Sequence, residues 1–341
     1  MEEQFIDLCR EGDLDDVKQF LKYHPNMDKV NAFHSACFYG KLEVAKWLLQ
    51  VKPDINISAK NEYAFRLACS NGHLEVSKWL LQVKPDINIS AQDEQAFRNA
   101  AFRNACKNGH LEVSKWLLQV KPDINISYDD ERAFRNTCEN GHLEVAKWLL
   151  QVNPDINISA QDDYAFCRAC MNGHLKVTKW LLLVKPDINI SAQDDYVFRY
   201  ACFNRKLEVA KWLLQIKPDI NISARNDMAF RDACENGHLE VAKWLLSLKP
   251  DINISGNNEY AFRWACKYGH LELAKWLQSL KPYLYVIKYD LDGKYTGFKI
   301  RSKQEANWEK RKIALHLALQ EQTNILYHLP VDIAKNVIQY I

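Results

Sequence analysis

The chain has 341 residues, 48% of them hydrophobic and 26% charged, with a formal net charge of +2 at neutral pH. That balance is ordinary for a folded protein and sets up no global field toward nucleic acid or membrane. No apolar run approaches the roughly 20 residues of a membrane span, and the acidic start MEEQFIDLCREGDLDD has no signal-peptide core, so the expectation is a cytoplasmic protein.

In chain order the first element is FIDLCREGDLDDVKQFL, a polar and aberrant version of a unit that then recurs. Tryptophans fall at 47, 79, 116, 148, 180, 212, 244 and 276, spaced by 32 residues with one interval of 37. A period of this size is the mark of a stacked repeat. One unit is EYAFRLACSNGHLEVSKWLLQVKPDINISA, residues 62–91. Phe65, Ala68 and Cys69 share one face of a first helix. Gly72 then supplies a left-handed turn. LEVSKWLLQ is a second amphipathic helix, and KPDINIS reads as a finger that returns the chain. First-helix phenylalanines at 5, 33, 65, 102, 134, 166, 198, 230 and 262 mark nine units.

Helix, tight turn, helix and finger at this period resembles the ankyrin repeat, most closely in NGHLEVAKWLL and PDINIS. The family's Thr-Pro-Leu-His signature is absent, and YAFR stands in its place. The resemblance implies an all-α ankyrin-repeat solenoid over residues 1–282, its first repeat a cap, followed by a small C-terminal α/β cap over 283–341. The Lys-Trp-Leu-Leu and Pro-Asp-Ile-Asn-Ile-Ser phrasing is also similar to the expanded ankyrin families of giant viruses that infect amoebae.

Two irregularities stand out. AFRNAAFRNAC at 96–106 duplicates five residues, covering 96–105. Five extra helical residues rotate a face by about 500°, so Phe102, in the second copy, is expected to hold the core slot. Arg205 replaces the turn glycine in the unit that reads NRK.

Nine of the ten cysteines occupy one repeat position, and only Cys167 is extra. Without C-x-x-C pairs, and with layers about 10 Å apart, they read as free, buried, apolar residues rather than disulfides or zinc ligands. The Gly-His histidines (His73, His110, His142, His174, His238, His270) recur too regularly to be catalytic and read as turn residues. The tryptophans read as packing between second helices. No motif for a nucleophile, phosphate loop or metal site occurs, so the expectation is a protein that is not an enzyme and needs no cofactor.

Positions that vary between units carry more information. Tyr164, Arg168, Met171, Tyr196, Tyr200 and Phe203, with Trp264 at an equivalent position, lie on the first-helix face opposite the Phe/Ala/Cys stripe. In ankyrin-like stacks that face is concave and usually binds partners. These residue types favour interface anchors, so a cluster across two adjacent repeats is the candidate partner-binding site, the alternative being that some of them fill gaps between repeats. Finger tips such as SAQDDY give the rim an acidic character.

After residue 284, YVIKYDLDGKYTGFKI alternates about Asp292-Gly293 as a hairpin does. From Lys281 to Lys312 nine Lys/Arg stand against four Asp/Glu, read as a solvated face. QEANWEKRKIALHLALQEQ is an amphipathic helix placed to cap the stack. The closing HLPVDIAKNVIQYI begins a new helix at Pro330, with Ile333, Val337 and Ile341 on one stripe. Leu329, Pro330 and that stripe resemble the opening helix of an F-box, and are similar to the F-box-like ends of poxviral ankyrin proteins, which dock on cullin-type ubiquitin ligases. Two readings stay open: a monomeric module that binds a host protein, or a substrate adaptor whose tail recruits a ubiquitin-ligase subunit. Neither involves nucleic acid or a membrane.

Overall fold

A computed structural model describes residues 1–87 and 100–321 of the chain. It is an all-α repeat architecture with one small hairpin, and it divides into two compact units, Met1–Ile190 and Ser191–Ile341. The first unit holds α1 (Glu2–Glu11), α2 (Leu14–Tyr23), α3 (Lys29–Phe38), α4 (Leu42–Val51), α5 (Ala59–Ser70), α6 (Leu74–Val83), α7 (Ala100–Lys107), α8 (Leu111–Val120), α9 (Tyr128–Glu139), α10 (Leu143–Val152), α11 (Ala160–Asn172) and α12 (Leu175–Val184). The second holds α13 (Ala192–Phe203), α14 (Leu207–Ile216), α15 (Ala224–Glu235), α16 (Leu239–Leu248), α17 (Gly256–Lys267), α18 (Leu271–Leu280), β1 (Tyr285–Tyr289), β2 (Tyr295–Ile300) and α19 (Lys303–Glu321). The boundary anticipated at 282/283 from the end of the repeats falls inside this second unit.

Within each unit the odd-numbered helices pack on one another and on the even-numbered partner that follows. Asp13 starts α2 by accepting from the amides of Asp15 and Asp16 (2.9 and 3.2 Å), the usual service of an N-cap carboxylate. Every first-helix phenylalanine from Phe5 to Phe262 is at most 1% exposed, Phe102 included, so the second copy of the duplication does hold the core slot. Residues 96–99 of the first copy lie outside the described residues. The nine repeat-position cysteines are free and buried, and burial pushes the Cys69 and Cys106 thiols up to about 12.

Six of the tryptophans, expected to pack between second helices, reach a first-helix phenylalanine. Trp79 meets Phe33 edge-on at 6.3 Å between ring centroids, and Trp116–Phe65, Trp148–Phe102, Trp180–Phe134, Trp244–Phe198 and Trp276–Phe230 repeat the contact. Each indole therefore ties its second helix to the first-helix core of the unit before it, a geometry that aromatic pairs favour.

At Gly40, Gly72, Gly109, Gly141 and Gly237 the turn between helices is closed by the glycine and the next unit's histidine together. Gly109 has φ 83, and a Cβ there would meet His142 Nδ1 at 2.3 Å, so both backbone sign and space require glycine. Arg205 adopts the same conformation with φ 61. The histidine ring's other nitrogen bridges units: Nε2 of His73 lies 2.8 Å from the Phe38 carbonyl, and that of His238 2.8 Å from the Phe203 carbonyl.

The hairpin ends the array. β1 and β2 run antiparallel with Tyr285 opposite Ile300 and Ile287 opposite Phe298. Asp290 closes the turn, its carboxylate accepting from the amides of Asp292 and Lys294, with Gly293 at φ 77. Tyr285 is fully buried and stacks on Phe262 at 4.0 Å with 5° between ring planes. The tail residues Leu329, Pro330, Ile333, Val337 and Ile341 lie outside the described residues.

Candidate protein-binding face

The first turn of α9, α11, α13, α15 and α17 holds a feature that the sequence did not disclose. Asp129–Glu131, Gln161–Asp163, Gln193–Asp195, Arg225–Asp227 and Asn257–Glu259 each make three successive residues with φ between 51 and 63, one turn of left-handed helix. Such backbone costs roughly 1–2 kcal/mol per residue outside glycine, so something must hold it. In two of the five turns the arginine that follows the core phenylalanine does. Arg135 donates from Nε to the Asp130 carbonyl (2.6 Å) and from Nη2 to that of Asp129 (2.9 Å). Arg199 repeats this on Asp194 and Gln193 at 2.9 and 3.0 Å. Both arginines are buried, 6% and 2% exposed. Charge-assisted bonds of this kind are each worth about 1.5–3 kcal/mol, enough to offset the strain.

The last residue of each left-handed turn is acidic, and it points inward rather than lining an acidic rim. Glu131, Asp195 and Asp227 are buried, and each accepts from the backbone amide 26 residues on: Asn157 (3.3 Å), Asn221 (3.0 Å) and Asn253 (3.1 Å). At the array's end Glu259 accepts instead from the Tyr285 hydroxyl. The acid is thus a latch to the next finger. Its signal was present, since Glu62, Glu131, Asp163, Asp195, Asp227 and Glu259 all stand three residues before a core phenylalanine.

The same comparison explains Cys167. It occupies the clamp position, and its Sγ reaches the Asp162 carbonyl, the counterpart of the arginine's acceptor, only at 3.9 Å. The neighbouring Arg168 turns to the surface, where it meets Glu139 at 3.5 Å and lies over the Tyr164 ring at 5.1 Å.

The anticipated partner-binding residues divide between the two units. In the first, Tyr164 and Arg168 are half-buried and lie together with Glu139 and Arg135. Met171 is buried at 6% exposure, which corrects its place among the surface anchors: it packs. In the second unit Tyr196, Tyr200 and Phe203 form a ladder along α13, with centroids 4.2 and 5.7 Å apart, and Phe203 is 37% exposed. Trp264 lies in a parallel ladder on α17, 5.6 Å from Tyr260 and 5.3 Å from Tyr268. Between the ladders α15 presents Met228, Asp232 and Glu235, and the Tyr260 hydroxyl donates to Glu235.

A family model described as ankyrin repeats (3 copies) matches residues 5–93, 89–162, 137–226, 166–256 and 198–286, which together span the whole repeat region. The chain belongs to the ankyrin-repeat family. No curated protein matches it closely enough to be named as a relative. Ankyrin repeats are protein-interaction modules, and this ankyrin array replaces the family's usual helix-start signature with the left-handed turn, acid latch and arginine clamp described above. No group of three or more metal-ligating side chains occurs among the described residues, and no helix among them is long and apolar enough to cross a membrane.

Beyond the ankyrin repeats, β1, β2 and α19 enclose a groove of about 580 Å³ lined by Val286, Lys299, Arg301, Gln304, Glu305, Trp308 and Glu309. Lys299 is paired with Glu305 at 2.7 Å and Arg301 with Glu309 at 3.8 Å, so part of the local basic excess is neutralised in place.

Proposed function

We propose that this chain is a non-enzymatic module that grips a partner protein on its concave first-helix face. The observation that carries this reading is the aromatic ladder Tyr196–Tyr200–Phe203, half-buried at the tyrosines and exposed at Phe203. Structural positions of the repeat hold the same residue from unit to unit, whereas these positions vary and here gather the residue types that dominate interface energetics. Tyr164 and Arg168 supply a second aromatic and basic pair on the same kind of face. Comparing wild type with the Tyr196→Ala/Tyr200→Ala/Phe203→Ala triple in a pull-down should show loss of the proteins that wild type retains. Equal retention by a folded triple variant would sink the proposal.

A second reading makes the chain a substrate adaptor, with Leu329, Pro330, Ile333, Val337 and Ile341 docking on a cullin-type ligase. It rests on the order of residues in HLPVDIAKNVIQYI. Here the partner would be a protein of an infected host, met in its cytoplasm, if the viral phrasing of the repeats reflects origin. Deleting 328–341 should then abolish co-purification of the ligase's F-box-binding subunit while the array stays folded. If the deletion instead lowers the melting temperature, the tail is a cap.

A further inference from the structure

We infer that the face formed by α13, α15 and α17 recognises a basic side chain of the partner, held by Asp232 between two aromatic walls. This rests on the concave-face reading above and gives it a chemistry. Tyr200, Asp232 and Trp264 occupy the same repeat position on three successively packed helices. The walls are Tyr200 with Phe203 on one side and Tyr260 with Trp264 on the other. The floor is Asp232 with Glu235.

Glu235 is satisfied by the Tyr260 hydroxyl, but the Asp232 carboxylate has neither a hydrogen bond nor an ion pair among the described residues. It is only half-buried, yet burial raises its pKa to about 6; Arg231 and Arg199 oppose that rise, and Glu235 adds to it. Those two arginines are the obvious internal partners, and neither makes an ion pair with it. Arg199 clamps the carbonyls of Asp194 and Gln193, and Arg231 donates to the Arg225 carbonyl. An ionised, partly desolvated carboxylate with no direct hydrogen bond or ion pair is unfavourable in the free protein, and an incoming cation would relieve it.

The walls already show that they accept cations. The ammonium of Lys267 lies 3.8 Å from the Trp264 ring centroid, and the Arg231 guanidinium 5.4 Å from that of Tyr260. A ring face and a carboxylate set side by side favour a guanidinium or ammonium over any neutral or acidic group. The salt dependence of such a contact would be moderate, because part of the attraction is desolvated.

The test starts from a phage-displayed random-peptide library selected on the full chain at neutral pH. Selected peptides should carry an arginine or lysine whose replacement by citrulline or norleucine weakens binding at least about tenfold. Asp232→Asn in the protein should weaken it by a similar factor, and Trp264→Leu with Tyr200→Leu should do so independently. The Asn variant should also melt higher than wild type at neutral pH, since it removes an unpaired charge; a residue with a merely structural role would lower the melting point instead. Peptides without basic residues, or binding that ignores Asp232→Asn, overturns the inference. If such peptides depend on Tyr164 and Arg168, concave-face binding stands and only its chemistry at Asp232 fails; if they bind with the aromatic positions of both units removed, both fail.

Discussion

Arg135 and Arg199 show how much one side chain holds in this array. Each buries a guanidinium against two carbonyls of a left-handed turn, and Arg135 also donates to the Gln161 side chain of the next unit at 2.6 Å. Arg199→Lys keeps the charge but offers a single flexible ammonium in place of a planar fork. It is expected to lose about 2–4 kcal/mol, from one charge-assisted bond and the strain it had offset, read as a shift in urea midpoint. The natural experiment in the opposite direction is Cys167, where the clamp is missing. Cys167→Arg places donors beside the Asp162 and Gln161 carbonyls and is expected to raise stability by about 1–3 kcal/mol. A neutral or destabilising result at that position would mean that the turn of α11 is held by something other than a clamp. From one unit alone, YAFR reads only as a helix start. The clamp becomes readable when the arginine at Phe+1 is compared across units, and even then the left-handed turn it holds is invisible, because Gln, Asp, Asn and Arg at those positions carry no glycine-like mark.

At the scale of the element, the helix–turn–helix unit was legible because its signals are local. Amphipathic spacing gave both helices, and the glycine gave the turn. What joins one unit to the next was less so, since those ties span 26 to 35 residues and depend on which way a side chain points. Met171 illustrates the loss: its position on the variable face was readable, its burial was not. The histidines form the most regular of these ties, and they make the array sensitive to acid. Burial lowers the pKa of His110, His142 and His238, and His142 is lowered further by His110 and His174 on either side. Because the folded pKa lies below the unfolded value of about 6.5, the unfolded chain takes up protons first as pH falls. Stability should therefore be level above about pH 6.5 and decline below it until the folded rings protonate. Asp232 acts in the opposite sense between about pH 6 and 4, since its folded pKa is raised, but it is one group against three. Urea midpoints measured from pH 8 to 5 should fall, and replacing His142 by Gln should make the fall shallower. A midpoint that rises on acidification would contradict the assignment of neutral, buried rings.

Across the whole molecule, a stack of repeats must end somewhere, and each end exposes a face that would otherwise be core. At the start, α1 and α2 cover it with Phe5, Cys9 and Val17, all fully buried behind a polar exterior. At the other end, among the described residues, no further repeat follows α18, and β1 takes over with a single residue that replaces two parts of a repeat. The ring of Tyr285 stacks on Phe262, where a further unit would have packed, and its hydroxyl donates to Glu259, standing in for the finger amide that serves Asp195 and Asp227. Burial and that bond both push its hydroxyl pKa well above the usual phenol range, so it remains a donor at any physiological pH. These two roles separate by substitution. Tyr285→Phe keeps the stack and strands the Glu259 carboxylate, at a cost of about 1–3 kcal/mol. Tyr285→Ala also empties the ring's place and should cost about 3–5 kcal/mol, and hydrogen exchange should locate the loss in α17 and α18. Equal effects of Phe and Ala would assign the whole contribution to the hydroxyl. Negligible effects of both would mean that the hairpin rests on the last repeat without supporting it.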